Sequence, residues 1–402
     1  LDKDKLKILF ICNKSPWPTS EGGPIAMNQL IEGLADAGHK VKVLAINTNK
    51  YSVKSEDIPS AYRQKTNIEL VYVNLAFKPV PAFLNLFSNK SYHVERFITK
   101  NFEKKLIEVL EKNTFDIVQI ETLFQSPYIN TIRKYSDAKI VLRAHNIEHL
   151  IWKRVAENQK NPLKKFYITH LARTLESYEK NVINDFDGIV PITKKDAEFF
   201  DSLTEKPILP LPFGVDTKKI KPQNETDSEL ALFHIGSMNW MPNEEGVKWF
   251  IDDVWPQIET QLPDVKLYLA GREMPEWLNK LNKKNIIVVG EVDNAHEFIS
   301  SKAISIAPLF SGSGIRIKII ESMALARAVI STSIGAEGIN ITNGENIIIA
   351  DNKDDFFEAI KLLFSEPLKV EELGRKARLL IEEEHNTEKI ISKLEAFYRQ
   401  IL

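Results

Sequence analysis

Cysteine is nearly absent: the 402-residue chain holds one, Cys12. A single thiol excludes an internal disulfide and fits a reducing compartment. Long apolar runs are missing too. None approaches the roughly 18 residues of a membrane span, and no leader-like stretch opens the sequence, so a cytoplasmic location is expected. No basic stripe interleaved with aromatics is present, which argues against nucleic acid as a partner. No G-x-G-x-x-G follows the first predicted strand, so a dinucleotide fingerprint is lacking. What remains is ordinary globular material, 43% hydrophobic and 27% charged, enough for two or three domains. The net charge of −2 is uneven: residues 1–200 hold 30 Lys and Arg against 23 Asp and Glu, the remainder 23 against 32. That polarity suggests that the first half faces something anionic, such as lipid headgroups; a chance split explains it equally well.

The stretch around which the chain is organised is SIAPLFSGSGIRIKIIESMALARAVISTSIGAEGI, Ser305 to Ile339. It reads as a strand to Ala307, a Ser/Gly loop (Ser311, Gly312, Ser313, Gly314), a helix to about Ala326, a second strand and a second Gly-punctuated loop. Small residues let backbone N–H groups approach a ligand, and a helix N-terminus favours an anion. Arg316 and Lys318 sit badly for the helix dipole, which a phosphate between them would explain. Glu321, further in, is suited to a sugar's hydroxyls. A loop that merely turns the chain into a helix is the plainer reading.

This run, P-L-x-x-G-S-G-I-R-x-K-x-x-E-S-M-A followed by V-I-S-T and G-A-E-G, resembles the GT-B glycosyltransferases of the family-4-like, retaining branch. Members usually carry two glutamates eight positions apart on this helix. Glu321 matches the second, on the ribose; the first position falls on Ser313, which leaves the donor sugar open. The resemblance implies an α/β fold of two doubly wound Rossmann-like domains facing across a cleft, with a C-terminal helix crossing back. The boundaries expected are 1–205 plus 386–402 for an acceptor-side domain, and 206–385 for a donor domain.

Taken in order, LKILFIC reads as a buried strand, followed by a Pro/Gly/Ser loop and a helix ended by Gly38. Gly22 and Gly23 lie at that strand's carboxyl end, where open α/β sheets bind ligands, and the resemblance places this loop by the donor phosphates and the acceptor; a flexible turn competes. Residues 76–97 are rich in apolar and aromatic residues, suited to core packing or to an acceptor- or membrane-contacting lip. FDIVQIE is a strand ending at Glu121, which either orients an acceptor hydroxyl or caps its loop. KIVLRA carries Arg143, His145 and Asn146 toward the same rim, and His145 matches a histidine that the family places beside the donor sugar. His145-Asn-Ile-Glu148-His149 also spells H-x-x-E-H, an inverted zinc-peptidase motif, but it directly follows a strand and lacks a third ligand.

In the second half, LALFHIGSM is a strand, NWMPNEEG a loop and VKWFIDDVWPQIET a helix. Relatives carry an arginine and a lysine here for the diphosphate. This chain has Ser237 or Asn239, then Asn243 or Glu244, so Arg316 and Lys318 become the replacements, with Gly236 as a backbone donor. The terminal TEKIISKLEAFYRQIL places Ile390, Ile391, Leu394, Phe397, Tyr398 and Ile401 on one helical face.

The function expected is transfer of a sugar from a nucleotide-diphosphate sugar to a glycan or lipid-linked acceptor hydroxyl, with retention, in polysaccharide or glycoconjugate synthesis. No cofactor or metal is called for, since cations stabilise the leaving group. Peripheral contact of the basic first domain with the inner face of the plasma membrane is expected alongside. A nucleotide-sugar epimerase or hydrolase of the same fold, or a non-catalytic binding relative, are the alternatives.

Overall fold

The computed structural model describes residues 5–19, 22–49, 52–76, 79–222, 228–312 and 316–402. Two compact units are formed, Leu1–Pro212 with Glu388–Leu402, and Phe213–Thr387. Among the described residues no helix is long and apolar enough to cross a membrane.

The first unit is built on six strands: β1 (Lys7–Cys12), β2 (Lys40–Thr48), β3 (Glu69–Val73), β4 (Ile117–Glu121), β5 (Lys139–Ala144) and β6 (Gly188–Pro191). Their order is β3-β2-β1-β4-β5-β6, and every neighbouring pair is parallel. Parallel strands need crossovers, and the crossover helices cover both faces, so the strands are apolar on both sides. Leu9, Ile11, Val118, Ile120, Ile140 and Leu142 pack to one face, against Phe102 and Leu106 of helix Lys100–Lys112. Ile8, Phe10, Cys12, Ile117, Val141 and Val190 pack to the other. There they meet Met27, Leu30, Ile31 and Leu34 of helix Gly22–Asp36, together with Ile390, Ile391, Leu394, Phe397 and Tyr398 of the C-terminal helix Thr387–Ile401. The 3.6-residue spacing of that last helix is therefore satisfied within the first unit, to which the chain returns for its final residues.

The second unit repeats the plan with β7 (Glu229–Ile235), β8 (Leu267–Ala270), β9 (Ile286–Gly290), β10 (Lys302–Ala307), β11 (Ala328–Ser331) and β12 (Ile348–Ile349). Its order, β12-β11-β10-β7-β8-β9, is again all parallel. In each sheet the strand order reverses once, between β1 and β4 and between β7 and β10. Crevices outside the carboxyl ends of strands open at such reversals.

One element differs from the sequence reading in a way that shapes the site. NWMPNEEG is not a loop: a helix spans Met241–Trp249, with Pro242 in its first turn, where a missing N–H costs nothing. It passes through a π-helical turn, Phe250–Val254, into helix Trp255–Gln261, because Pro256 cannot donate the i→i−4 bond that α-geometry would require there. Asn243 is thereby drawn from the expected loop into the first turn of a helix. Gly246 in the same helix lies directly on the carbonyl of Pro308, where an added Cβ would stand 1.9 Å from the oxygen. This contact clamps the helix to the loop after β10. Gly246→Ala should therefore destabilise the fold by about 1–3 kcal/mol through overpacking, read as a fall in the urea midpoint at unchanged slope.

Candidate functional site

In the first unit the register puts Cys12, Glu121 and Arg143 side by side at the carboxyl ends of β1, β4 and β5. Glu121, expected at the rim, is instead fully buried. One carboxylate oxygen accepts from Gln119 Nε2 at 2.6 Å and the other faces His145 Nε2 at 2.6 Å. Gln119 Oε1 accepts from the Tyr398 hydroxyl of the C-terminal helix. Burial, and then Glu121, push the Tyr398 hydroxyl well above its ordinary range, so it keeps its proton and donates. The same two causes push the Cys12 thiol up and leave it unreactive. A continuous chain thus runs from the last helix to His145. A carboxylate can only accept, so His145 Nε2 carries the hydrogen and Nδ1 is the lone-pair nitrogen. Thr122, immediately after Glu121, adopts φ +74°, a left-handed conformation that β-branched residues rarely accept. The backbone is strained at the very strand end that carries this chain.

Arg143 does not reach the rim either. Its guanidinium is buried and donates to the carbonyls of Val190 at 3.2 Å and Pro191 at 3.4 Å, and burial lowers it to about 10. Its work is to tie β5 to the end of β6. Asn146 bonds the Glu148 carboxyl, which burial and then Glu179 push up to about 8. Glu179 also accepts from the Glu148 and His149 backbone N–H groups and pairs with His149 Nδ1 at 2.6 Å, capping helix Glu148–Asn158 from a neighbouring helix. His145 and His149 therefore serve different carboxylates, and the H-x-x-E-H spelling does not form one metal-binding face. Among the described residues no group of three or more His, Cys, Asp or Glu is placed to hold a metal ion. Gly22 and Gly23 open helix Gly22–Asp36, and Lys14 lies across Gly23, with its Cε 2.9 Å from where a Cβ would be. The sequence reading passed over Lys14, although it stands two residues beyond β1 in the loop singled out for its glycines.

In the second unit the reversal between β7 and β10 gathers the residues of the organising stretch. Lys318 Nζ donates to Asn243 Oδ1 at 2.5 Å and lies 3.3 Å from His234 Nε2. His234 Nδ1 is 3.0 Å from the Ile306 carbonyl, to which it donates, so Nε2 is the acceptor; burial, then Lys318, hold this ring well below the usual range and neutral. Burial, then neighbouring Arg316, lower Lys318 to about 7. Arg316 is itself buried, the N-cap of helix Ile317–Ala324, and donates to Ile334 of the second Gly loop at 3.1 Å. The Arg316 side chain makes no capping hydrogen bond at that helix N-terminus. Asn243 also donates to the Ser237 carbonyl at 2.8 Å, and Ser237 Oγ donates to Asn239 at 2.9 Å. Gly236 is enforced by crowding, since a Cβ there would lie 2.6 Å from Asn243 Nδ2. Ser311 Oγ lies 3.4 Å from Glu245, and Gly312, at φ +106°, sits under the edge of Trp240. Ser313 and Gly314 lie outside the described residues. Glu321 Oε1 is 3.4 Å from His296 Nε2, and that hydrogen bond raises His296 above its ordinary range. His234, His296 and Trp240 were missed by the sequence reading; only their places at strand or helix ends could have signalled them.

Residues 229–366 match the family described as Glycosyl transferases group 1. Over whole-chain lengths, the protein is 24% identical to an uncharacterized 44.6 kDa protein in the cps region of Klebsiella pneumoniae, covering 96% of this chain and 98% of that one. It is 22% identical to N-acetyl-alpha-D-glucosaminyl L-malate synthase of Bacillus anthracis, covering 99% and 98%. The chain is a glycosyltransferase whose residues 229–366 carry the group 1 match. Its fold is that of sucrose-phosphate synthase from Thermosynechococcus elongatus, with a TM-score of 0.71 at 15% identity over 98% of this chain and 99% of that one. Anabaena HepE in complex with UDP superposes with a TM-score of 0.69 at 11% identity over 98% and 100%. Both are GT-B structures, and the two six-stranded parallel sheets of this glycosyltransferase are the halves of that fold.

The buried chain beneath His145 makes a stability prediction for this glycosyltransferase. Tyr398→Phe leaves Gln119 without its donor and should cost about 1–3 kcal/mol, measured by urea denaturation. The double variant Tyr398→Phe/Gln119→Leu should cost less than the sum of the two single changes, because the pair shares one bond.

Proposed function

We propose that the second unit binds a nucleoside-diphosphate sugar through Arg316 and Lys318, and that the enzyme transfers the sugar to an acceptor hydroxyl with retention of configuration. The observation that carries this reading is the pairing of two cations at a helix N-terminus beside Gly236. The neighbouring acceptors that meet Lys318 are neutral, Asn243 and His234. Two such cations held together are costly unless an anion joins them, and a diphosphate supplies about two negative charges. In the reaction the bond between the sugar's anomeric carbon and the diphosphate oxygen breaks. The acceptor oxygen bonds to the same carbon and passes its proton to the departing diphosphate oxygen, which takes the electron pair of the broken bond and whose growing charge the two cations meet without a metal. Glu321, steadied by His296, is assigned to the ribose hydroxyls, and Gly236, Ser237, Asn239, Ser311 and Gly312 to the surrounding donor wall.

His145 is the candidate catalytic side chain of the first unit, with Glu121 a positioning residue beneath it. Lys14, in the loop after β1, lies across Gly23 in the first turn of helix Gly22–Asp36, and Asn146 follows His145. That HepE was crystallised with UDP supports a nucleotide-sugar donor, and the relative in a cps region supports a role in polysaccharide or glycoconjugate synthesis; the excess of Lys and Arg in residues 1–200 supports placing the enzyme on the cytoplasmic side of a membrane.

A thermal-shift panel of UDP, GDP, ADP, CMP and their sugars tests the donor site. One diphosphate series should raise the melting temperature, and Arg316→Ala/Lys318→Ala should abolish the shift, a loss of about a hundredfold or more in affinity. Donor breakdown at full rate without an acceptor would overturn the transfer reading in favour of hydrolysis. Proton uptake is a second readout. Lys318 titrates near 7 when the site is empty, and an anion beside it must raise that value. At about pH 8 the free lysine is mostly neutral, so binding should draw a proton from buffer, seen as a calorimetric enthalpy that varies with buffer ionisation heat, and the uptake should vanish below about pH 6.

A further inference from the structure

The first unit displays an apolar face that its own core does not use. Phe83, Leu84 and Phe87 are 61%, 60% and 80% exposed, and Leu163 and Phe166 are 82% and 69% exposed. The first three lie on or just after helix Pro79–Asn85, with the Phe83 and Phe87 rings 5.7 Å apart. The other two lie in the opening turns of helix Pro162–Val182. Leu163, Phe166 and His170 are spaced i, i+3, i+7 and share one stripe. His170 Nε2 lies 3.0 Å from the Asn85 carbonyl, so that stripe runs directly into the end of the other helix and the two apolar sets form one surface. The scaffold beneath is anchored. Tyr92, Leu171 and Tyr167 pack together under it, and His93 stacks on Trp152 at 3.9 Å. Aromatic side chains held out by an anchored scaffold, in so small an area, mark a contact surface rather than scattered exposure.

We propose that this face docks on an anionic lipid surface. Charge selects the partner. Residues 79–92 and 150–170 contain Lys90, Lys153, Arg154, Lys160, Lys164 and Lys165 against a single acid, Glu157. Lys153, Arg154, Lys160, Lys164 and Lys165 are exposed, and Lys90 makes one loose pair with Glu95 at 3.9 Å. Phenylalanine and leucine ringed by lysine is the composition of an interfacial anchor: rings enter the headgroup boundary while ammonium groups meet lipid phosphates. A second copy of the chain seated on this face would set these cations against one another, which disfavours self-association. The inference deepens the membrane-side placement proposed above and is independent of the donor site.

The test is co-sedimentation of the full chain with vesicles of phosphatidylcholine alone and of phosphatidylcholine with phosphatidylglycerol. Wild-type protein should pellet with the anionic vesicles only, and less at high salt than at about 0.1 M. Phe83→Ser/Phe87→Ser and Lys164→Glu/Lys165→Glu should each lower binding about tenfold or more. Both variants should keep the wild-type melting temperature and the nucleotide-induced shift, since the altered side chains are exposed. If wild-type protein stays in the supernatant with anionic vesicles, both the surface and the membrane-side placement fall. If it pellets and both variants pellet equally well, the surface is wrong while the placement stands. A concentration-dependent dimer in gel filtration that Phe83→Ser/Phe87→Ser abolishes, without vesicle binding, would overturn the proposal in favour of self-association.

Discussion

All strand pairing within the two sheets is parallel, and that constraint decides where this protein can place polar chemistry. A parallel sheet must be covered by helices on both faces, so its strands are apolar throughout and polar side chains are tolerated mainly at strand ends. Where the strand order reverses, the loops part and leave room. Glu121 and His145 gather at the reversal in the first unit, and Gly236, Lys318 and Arg316 at the one in the second.

The two strand ends meet the cost of burial differently. In the first unit a buried carboxylate is satisfied on both oxygens, by Gln119 and His145, and Tyr398 completes the chain from the C-terminal helix. The arrangement is closed except at one ring nitrogen, which suits a positioned group. In the second unit two cations lie together, and the acceptors that meet Lys318 are a neutral amide and a neutral imidazole. Lys318 responds by titrating near 7. A buried amine lowered in this way holds its proton more readily once an anion stands beside it.

Much of this was legible in residue order. Strand–helix alternation gave the class of fold, and the amphipathic tail marked a helix with one apolar face. Arg316 and Lys318 stood out because cations at a helix N-terminus contradict the dipole. The side-chain roles of Glu121 and Arg143 were not legible. Strand-end position suggested a rim, but period-2 alternation turns both toward the face covered by the last helix, where they are enclosed. Asn243 was misplaced because Pro242 reads as a loop residue and equally opens a helix. His234 and His296 carried no local pattern at all.

Sequence by itself determined most of the elements and their alternation in two units, because turn chemistry and hydrophobic period act between residues a few positions apart. Only the tertiary structure decided which polar groups meet. Tyr398 and Gln119 are 279 positions apart, Lys318 and Asn243 are 75, and Glu121 and His145 are 24. Those pairings follow from strand order and helix packing, which bring distant residues within hydrogen-bonding distance through contacts that no local spacing encodes.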